Sequence, residues 1–490
     1  MFIFKLLKTK EKVLIILILF LIGFLWTFLF YLNYLKLPQV VEGFDQQPKT
    51  FNPLLAKNDV ENSIASLLFR GLIRPDGKGN FKYDLAKKIT FNSTTREYLI
   101  ELKDAIWSDG SKITSDDVVF TFKAVKLLPE SNYFSVFKDL EIEKIDYNSF
   151  KIKLNLDCQV VNENNFIFPY FTLGIIPQKI WSSLNFNDWL VISSNFYPLT
   201  SGPYKIKKII KQENKFKEII FELNNDILPY LEIKPKIKKI VFKFFDDKKE
   251  IFYSFKLHKI NSFLIDDPQD LKNYNFKNYT KIVLPTYFAL WSFDKELKNI
   301  FNYSNLNYLQ KQFFNLRPIY IFDEKYLNKD LILSPTNKEL QLFSTRTYEI
   351  FIPENNLLVK IIKNIKEKFY PAVKLEIAEL DLKTFQEKIL TDDKFLKENN
   401  FIFTEKYGIY PHLSFLKYQN AKIENWELVK LIETIKCEGF NKENLKKFEV
   451  LSQRSPYVFL FNLDWFWLGK DFDELILNNT WERFFKIIYN

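Results

Sequence analysis

Residues 48–77 read PKTFNPLLAKNDVENSIASLLFRGLIRPDG, followed by YDLAKK at 83–88 and WSDGSKITSDDVVFTFKAV at 107–125. Asn52-Pro53 is a turn signal, because proline holds the residue before it in an extended conformation. From Val60 to Arg70 the apolar residues Val60, Ile64, Leu67 and Leu68 share one helical face, and Gly71 is placed to terminate the helix. Trp107-Ser108-Asp109-Gly110 forms a turn after the predicted strand Glu97 to Leu102. Thr114-Ser115-Asp116-Asp117 then supplies a hydroxyl cap and first-turn acids ahead of Val118, Val119, Phe122 and Val125. Taken one at a time, these pieces describe a strand–turn–helix unit of any α/β protein.

Their order carries more. Asn52-Pro53-Leu54, the run Val60 to Arg70 ending in Gly71-Leu72, Asp84-Leu85-Ala86, Trp107-Ser108-Asp109-Gly110, Thr114, Asp116-Asp117-Val118 and Phe120-Thr121-Phe122 follow one another collinearly. That series resembles the amino-terminal lobe of family 5 extracellular solute-binding proteins, the oligopeptide, dipeptide and nickel receptors of ABC importers. Later landmarks keep the order. Gly174-Ile175-Ile176-Pro177 precedes a helix, and Thr200-Ser201-Gly202-Pro203-Tyr204 is similar to the family's G-x-G-P-Y turn into a strand. Ser455-Pro456 with Tyr457 to Phe461 resembles the late strand returning to the first lobe.

The amino terminus addresses location. Lys5, Lys8, Lys10 and Lys12 precede Val13 to Leu35, 23 residues without a charge. About 20 apolar residues cross a bilayer, and upstream lysines favour a cytoplasmic amino terminus. A secretory signal has an apolar core of only about 7–15 residues and a small-residue cleavage site. The following YLNYLKLPQVVEGF offers no such site, and neither cysteine is near enough for lipidation. The expectation is an uncleaved single-pass anchor, with the chain from Pro38 onward outside the cytoplasm.

The formal charge is +10, of which residues 1–36 carry +4 and the remainder +6. Lysines and acids are interspersed with no arginine-rich tail, so the charge reads as a solvated face rather than a nucleic-acid footprint. With 52 Phe in 490 residues, most phenylalanines must be core. Outside the cytoplasm Cys158 and Cys437 could pair, but two cysteines in a chain of this length read first as isolated buried thiols, and His258 and His412 form no metal motif with them. No cofactor or metal is called for. G-x-S-x-G, Walker and H-E-x-x-H motifs are all missing, and adjacent acids such as Asp116-Asp117 do not converge on a helix. The chain does not read as an enzyme, with an extracytoplasmic hydrolase acting on surface glycans or peptides the weaker alternative.

About 450 residues follow the anchor, too many for one core. Predicted strands at Ser149–Leu156, Tyr204–Ile210, Lys217–Leu223 and Lys238–Phe245 alternate with predicted helices, among them Asn355–Phe369 and Asn425–Ile435, which argues α/β. The resemblance implies a two-lobed periplasmic-binding-protein-like fold of type II, the large peptide-binding class. Two connecting segments would cross between its lobes. The implied division is a basic tail and transmembrane helix at 1–37, lobe I at 38–71 and 196–248, an inserted subdomain of lobe I at 72–195, lobe II at 249–450, and a return to lobe I at 451–490.

The resemblance also implies a role: a monomeric receptor that captures an oligopeptide or similar extended solute between its lobes and passes it to ABC permease subunits. The alternative from another class is a surface adhesion or assembly protein that keeps the fold without transport. By position, Lys57, Asn58 and Asp59 match the ligand-meeting loop, and Tyr133 matches an aromatic that closes over ligand from the inserted subdomain. Tyr287, Phe288 and Trp291 lie on a strand entering lobe II, and Tyr407 and Tyr410 on the loop Glu405–Leu413. Peptide receptors place an aspartate in that loop to pair with the ligand's α-amino group. Here EKYGIYPHL has none, and burying an ammonium without a partner is costly. Glu405 is the only acid in it. Trp107, Asp109 and Asp117 are expected to be structural.

Overall fold

The structure, a computed structural model, describes residues 18, 20–25, 39–75, 81–129, 131, 133–155, 167–232, 235, 237–265, 280–301, 316–318, 346–353, 356–370, 374–381, 384–385, 388, 392–406, 430–431, 434, 437 and 457–469. In chain order the strands are β1 (Gln39–Phe44), β2 (Ile73–Pro75), β3 (Phe81–Tyr83), β4 (Ala86–Asn92), β5 (Glu97–Leu102), β6 (Leu140–Lys144), β7 (Ser149–Leu154), β8 (Tyr204–Gln212), β9 (Lys215–Leu223), β10 (Lys239–Phe244), β11 (Ser262–Ile265), β12 (Thr280–Trp291), β13 (Leu316–Pro318), β14 (Thr347–Pro353), β15 (Lys374–Leu380), β16 (Asn400–Lys406) and β17 (Tyr457–Gly469). The fold is two-lobed and mixed α/β.

One sheet runs through both lobes in the order β15-β14-β16-β12-β17-β11-β1-β10-β9-β8, with β13 also on β17. β1 is parallel to β10 and β11, whereas β9 and β8 continue antiparallel. β12 and β17 are the long strands. They pair with each other along their length; the last residues of β17 also lie beside β11, through Ser262↔Gly469 to Ile265↔Phe466, and the last half of β12 also lies beside β16, through Thr286↔Lys406 to Trp291↔Phe401. These two continuous strands therefore cross from one lobe to the other, and the hand-over falls at 284–286 opposite 463–465.

The inserted subdomain is the antiparallel sheet β4-β5-β7-β6 under the helix Ser115–Val125. Its apolar face is the one read from sequence: Val118, Val119, Phe122 and Val125 are buried, with Phe122 against Phe137 and Phe171. In lobe II the helix Asn356–Phe369 buries Leu358, Ile361, Ile362 and Ile365, the i, i+3, i+4, i+7 stripe of an amphipathic helix. Burial of four such side chains is worth roughly 6–12 kcal/mol before entropy is charged against it.

Four expectations need correction or restriction. The first helix spans Asp59–Leu68 and ends on an extended Phe69, so Gly71 is not its terminator. A Cβ on Gly71 would lie 2.7 Å from the Thr172 backbone. The glycine is there because two chain segments pass in contact, with Leu72 N–H donating to Phe171 O at 2.9 Å. Cys437 is buried as expected but is disulfide-bonded rather than an isolated thiol, and Cys158 lies outside the described residues. Of the apolar run Val13–Leu35 only Ile18 and Phe20–Leu25 are described, as exposed helix. No helix among the described residues is long and apolar enough to cross a membrane. The predicted helix Asn425–Ile435 also lies mostly outside the described residues.

Candidate functional site

β1 delivers the chain to the carboxyl edge of the lobe I strands, and the segment from Asp45 to Asn58 turns there before entering the helix Asp59–Leu68. The turn is held by side chains. Asn52 Oδ1 accepts the Leu54 N–H at 2.9 Å, and the Leu55 N–H donates to Asn52 O at 3.1 Å, closing the Asn-Pro turn. Asn195, buried at the end of the inserted subdomain, accepts at Oδ1 from Thr50 Oγ1 (2.7 Å) and from the Phe51 N–H (3.2 Å).

The three candidates at 57–59 divide by role. Asn58 caps the helix, accepting the Glu61 N–H at 2.9 Å. Glu61 reaches back: Oε1 accepts the Lys49 N–H and Oε2 the Lys57 N–H, each at 2.8 Å. Its carboxylate is buried, so it fastens the loop to the helix start from inside. Asn58 is thereby committed to capping, Asp59 is buried, and Lys57 is exposed. Sequence reasoning missed Glu61 and Asn195. The signal for Glu61 was present as Asn58-x-x-Glu61, a capping box; Asn195, 145 residues from its partner Thr50, left none.

Tyr133 precedes the short helix Phe134–Phe137 and meets Tyr170 edge-on with ring centroids 6.3 Å apart. Burial pushes its phenol up to about 12, so the hydroxyl stays protonated at neutral pH. Tyr287 and Phe288 lie on β12 just past the hand-over: Tyr287 pairs with Glu405 and Asn462, Phe288 with Thr404 and Phe461, and a bulge follows between Phe288 and Ala289. Trp291 is different. It is fully buried, donates its indole N–H to Leu396 O at 2.8 Å and stacks on Phe401, so its ring is lobe II core rather than cleft surface. Tyr407 and Tyr410 lie outside the described residues, on the segment that leaves β16 after Lys406.

Residues expected to be structural have clear partners. Asp117 accepts the Thr114 N–H (3.0 Å), the Gln178 N–H (2.8 Å) and, more loosely, the Trp107 indole N–H (3.3 Å). Burial raises its pKa against these bonds. Asp109 accepts from the Ser111 N–H and pairs with Lys179. Where lobe I meets the insert, Arg70 and Asp84 form a buried ion pair at 2.7 Å. Among the described residues no group of three or more His, Cys, Asp or Glu is placed to hold a metal ion.

Residues 80–317 match the family described as bacterial extracellular solute-binding proteins, family 5 Middle. The chain is 28% identical over 271 residues to the oligopeptide-binding protein AppA of Bacillus subtilis, covering 53% of this chain and 47% of that protein. The match thus spans about half the length of that relative. Solved folds are similar over most of the chain. The Helicobacter pylori binding protein DppA in complex with the peptide STSA superposes with a TM-score of 0.70 at 14% identity, covering 92% of this chain and 98% of that one. Campylobacter jejuni NikZ in complex with Ni(L-His) gives 0.66 at 19% identity, covering 90% and 97%. The family 5 resemblance of the sequence and the two-lobed fold therefore agree, while peptide and nickel-complex binders share that fold.

Proposed function

We propose that this chain, family 5 in its middle region and two-lobed throughout, is a membrane-anchored extracytoplasmic receptor of an ABC importer. It captures an oligopeptide or similar extended solute between lobes I and II and presents it to the permease. The observation that carries the reading is β12 and β17 passing unbroken between two strand sets, in a chain whose residues 80–317 match solute-binding sequence. Two lobes joined by such strands close by bending, and a ligand that touches both stabilises the closed form. The lobe boundaries are those drawn from the sequence, and residues 13–35 are the anchor.

Lys57, Tyr133, Tyr287, Phe288, Tyr407 and Tyr410 are the proposed ligand-facing residues, with Asn58 and Asp59 shaping the loop that carries Lys57. With no aspartate in 405–413, recognition rests on main-chain hydrogen bonds and aromatic contact, which tolerates varied side chains. Mass spectrometry of solute co-purifying with the protein tests the function directly. A family of peptides of mixed sequence is the expected result, and ligand-induced compaction in solution scattering should accompany rebinding. An absence of compaction against broad peptide libraries overturns the receptor reading. A several-kcal/mol loss on acetylating a bound peptide's amino terminus would reveal a carboxylate clamp, with Glu405 the first residue to substitute.

A further inference from the structure

One end of lobe I collects cations and exposed apolar side chains that solute capture does not use. β1 and β10 are parallel with Gln39 beside Lys239, so both strands begin at this end of the sheet. In sequence, KPKIKK at 234–239 leads into β10, and Lys36-Leu37-Pro38 joins the apolar run to β1. The loop from the helix Lys248–Lys256 into β11 returns to the same end, because the Asn261 N–H donates to Val41 O at 2.9 Å and Asn261 Oδ1 accepts the Val41 N–H at 2.7 Å. That loop carries exposed Leu257, 64% accessible, and exposed Lys259; Tyr253, 60% accessible, stands one turn back on the helix.

The charge at this end is lopsided. Lys238, Lys239 and Lys259 have no ion pair among the described residues, whereas the acids nearby are taken: Glu222 by Lys207 at 2.9 Å and Asp226 by Lys205 at 3.7 Å. Lysines around an exposed leucine and tyrosine make the composition of an interfacial membrane contact, in which cations meet phosphate and the apolar groups enter the headgroup layer. The location supplies the occupant. Three residues, 36–38, span at most about 10 Å between the apolar run and β1.

We propose that this end of lobe I, through Lys238, Lys239, Lys259, Tyr253 and Leu257, rests on anionic phospholipid at the outer surface of the membrane that holds the chain. The inference rests on the anchor proposed above. The 57–59 loop follows the opposite end of β1, so lipid contact leaves the candidate ligand loop uncovered.

The full-length chain in nanodiscs tests this, comparing discs of phosphatidylglycerol with discs of phosphatidylcholine. Amide exchange at 257–261 is expected to be slower on phosphatidylglycerol and to return to the phosphatidylcholine rate in high salt. The triple variant Lys238→Gln/Lys239→Gln/Lys259→Gln should weaken lobe–lipid contact on the order of 100-fold, about 5-fold per lysine, and so abolish the difference. Leu257→Asn should reduce it while leaving the salt dependence. A chain embedded in both discs with equal exchange overturns the lipid surface and leaves the anchor standing. A chain bound to phosphatidylglycerol discs alone keeps the lipid surface and overturns the anchor. Recovery outside both discs overturns both.

Discussion

At the residue scale the loop facing the proposed cleft is set less by its exposed side chains than by one buried carboxylate. Glu61 holds the Lys49 and Lys57 amides and, more loosely, the Asn58 amide from behind, so Glu61→Ala leaves three part-buried donors without partners. An unmade hydrogen bond of this kind costs about 1–3 kcal/mol. Denaturant unfolding of Glu61→Ala should show a loss of that size, and solute affinity should fall with it; Lys57→Ala should weaken affinity without touching stability. Tyr133 gives a pH signature. Its folded pKa of about 12 lies above the ordinary phenol value of 10.0, so the unfolded chain releases the proton first. Stability contributed by the neutral phenol is complete below pH 10 and drains away as pH rises toward 12. The ultraviolet difference titration between wild type and Tyr133→Phe should have its midpoint near 12, and a midpoint near 10 would show an unburied ring. The same residues mark how far sequence reaches. The capping box Asn58-x-x-Glu61 is local chemistry written within four residues, so it could have been read and was missed. Trp291 was not legible as core, since its burial comes from Phe401 and Leu396, more than a hundred residues away.

Elements were read more securely than side chains, for a physical reason: period and capping are written within ten or so residues, whereas partners are not. The predicted strand Lys217–Leu223 appears as Lys215–Leu223, Lys238–Phe245 as Lys239–Phe244, and the helix Asn355–Phe369 as Asn356–Phe369. What the pattern could not carry is why Gly71 is a glycine, because the crowding atom belongs to Thr172. Gly71→Ala should cost about 1–3 kcal/mol by forcing two backbones apart, with no effect on helix content by circular dichroism. A cap defect would instead lower the helix signal. Asp117 tests the element above it. Three N–H groups, from Thr114, Gln178 and Trp107, converge on its carboxylate. Asp117→Ala should therefore destabilise by roughly 2–4 kcal/mol, more than the ~1 kcal/mol of an ordinary cap, and shift Trp107 fluorescence. A loss of only ~1 kcal/mol would reduce Asp117 to a simple cap.

For the whole molecule the question is how two lobes sharing one sheet can open and close. Ladder hydrogen bonds make β12 and β17 stiff wherever a neighbour flanks them. Flexure would then concentrate at 284–285 opposite 464–465, after β11 has ended and before β16 begins at Thr286 and β13 at Leu463, close to the bulge after Phe288. Tyr287 and Phe288 sit next to that crossing, so the ligand contact proposed for them would act directly on the hinge. A second constraint is covalent. Cys437 belongs to the stretch assigned to lobe II and is disulfide-bonded, and the only other cysteine in the 490 residues is Cys158, in the stretch assigned to the insert of lobe I. A bond between them would tie the lobes at a third place and cap the amplitude of opening, at a position no motif announced. Non-reducing peptide mapping should recover a 158–437 linked pair and no free thiol. Cys437→Ser should then widen the unliganded protein in scattering while the ligand-closed form keeps its size, because a tether restrains the open state more than the closed one. Affinity should fall modestly with it, since the variant has further to travel before both lobes touch the solute. Equal dimensions for wild type and variant in the unliganded state would make the disulfide a local staple with no hold on the hinge, and two titratable thiols in the native protein would remove it altogether.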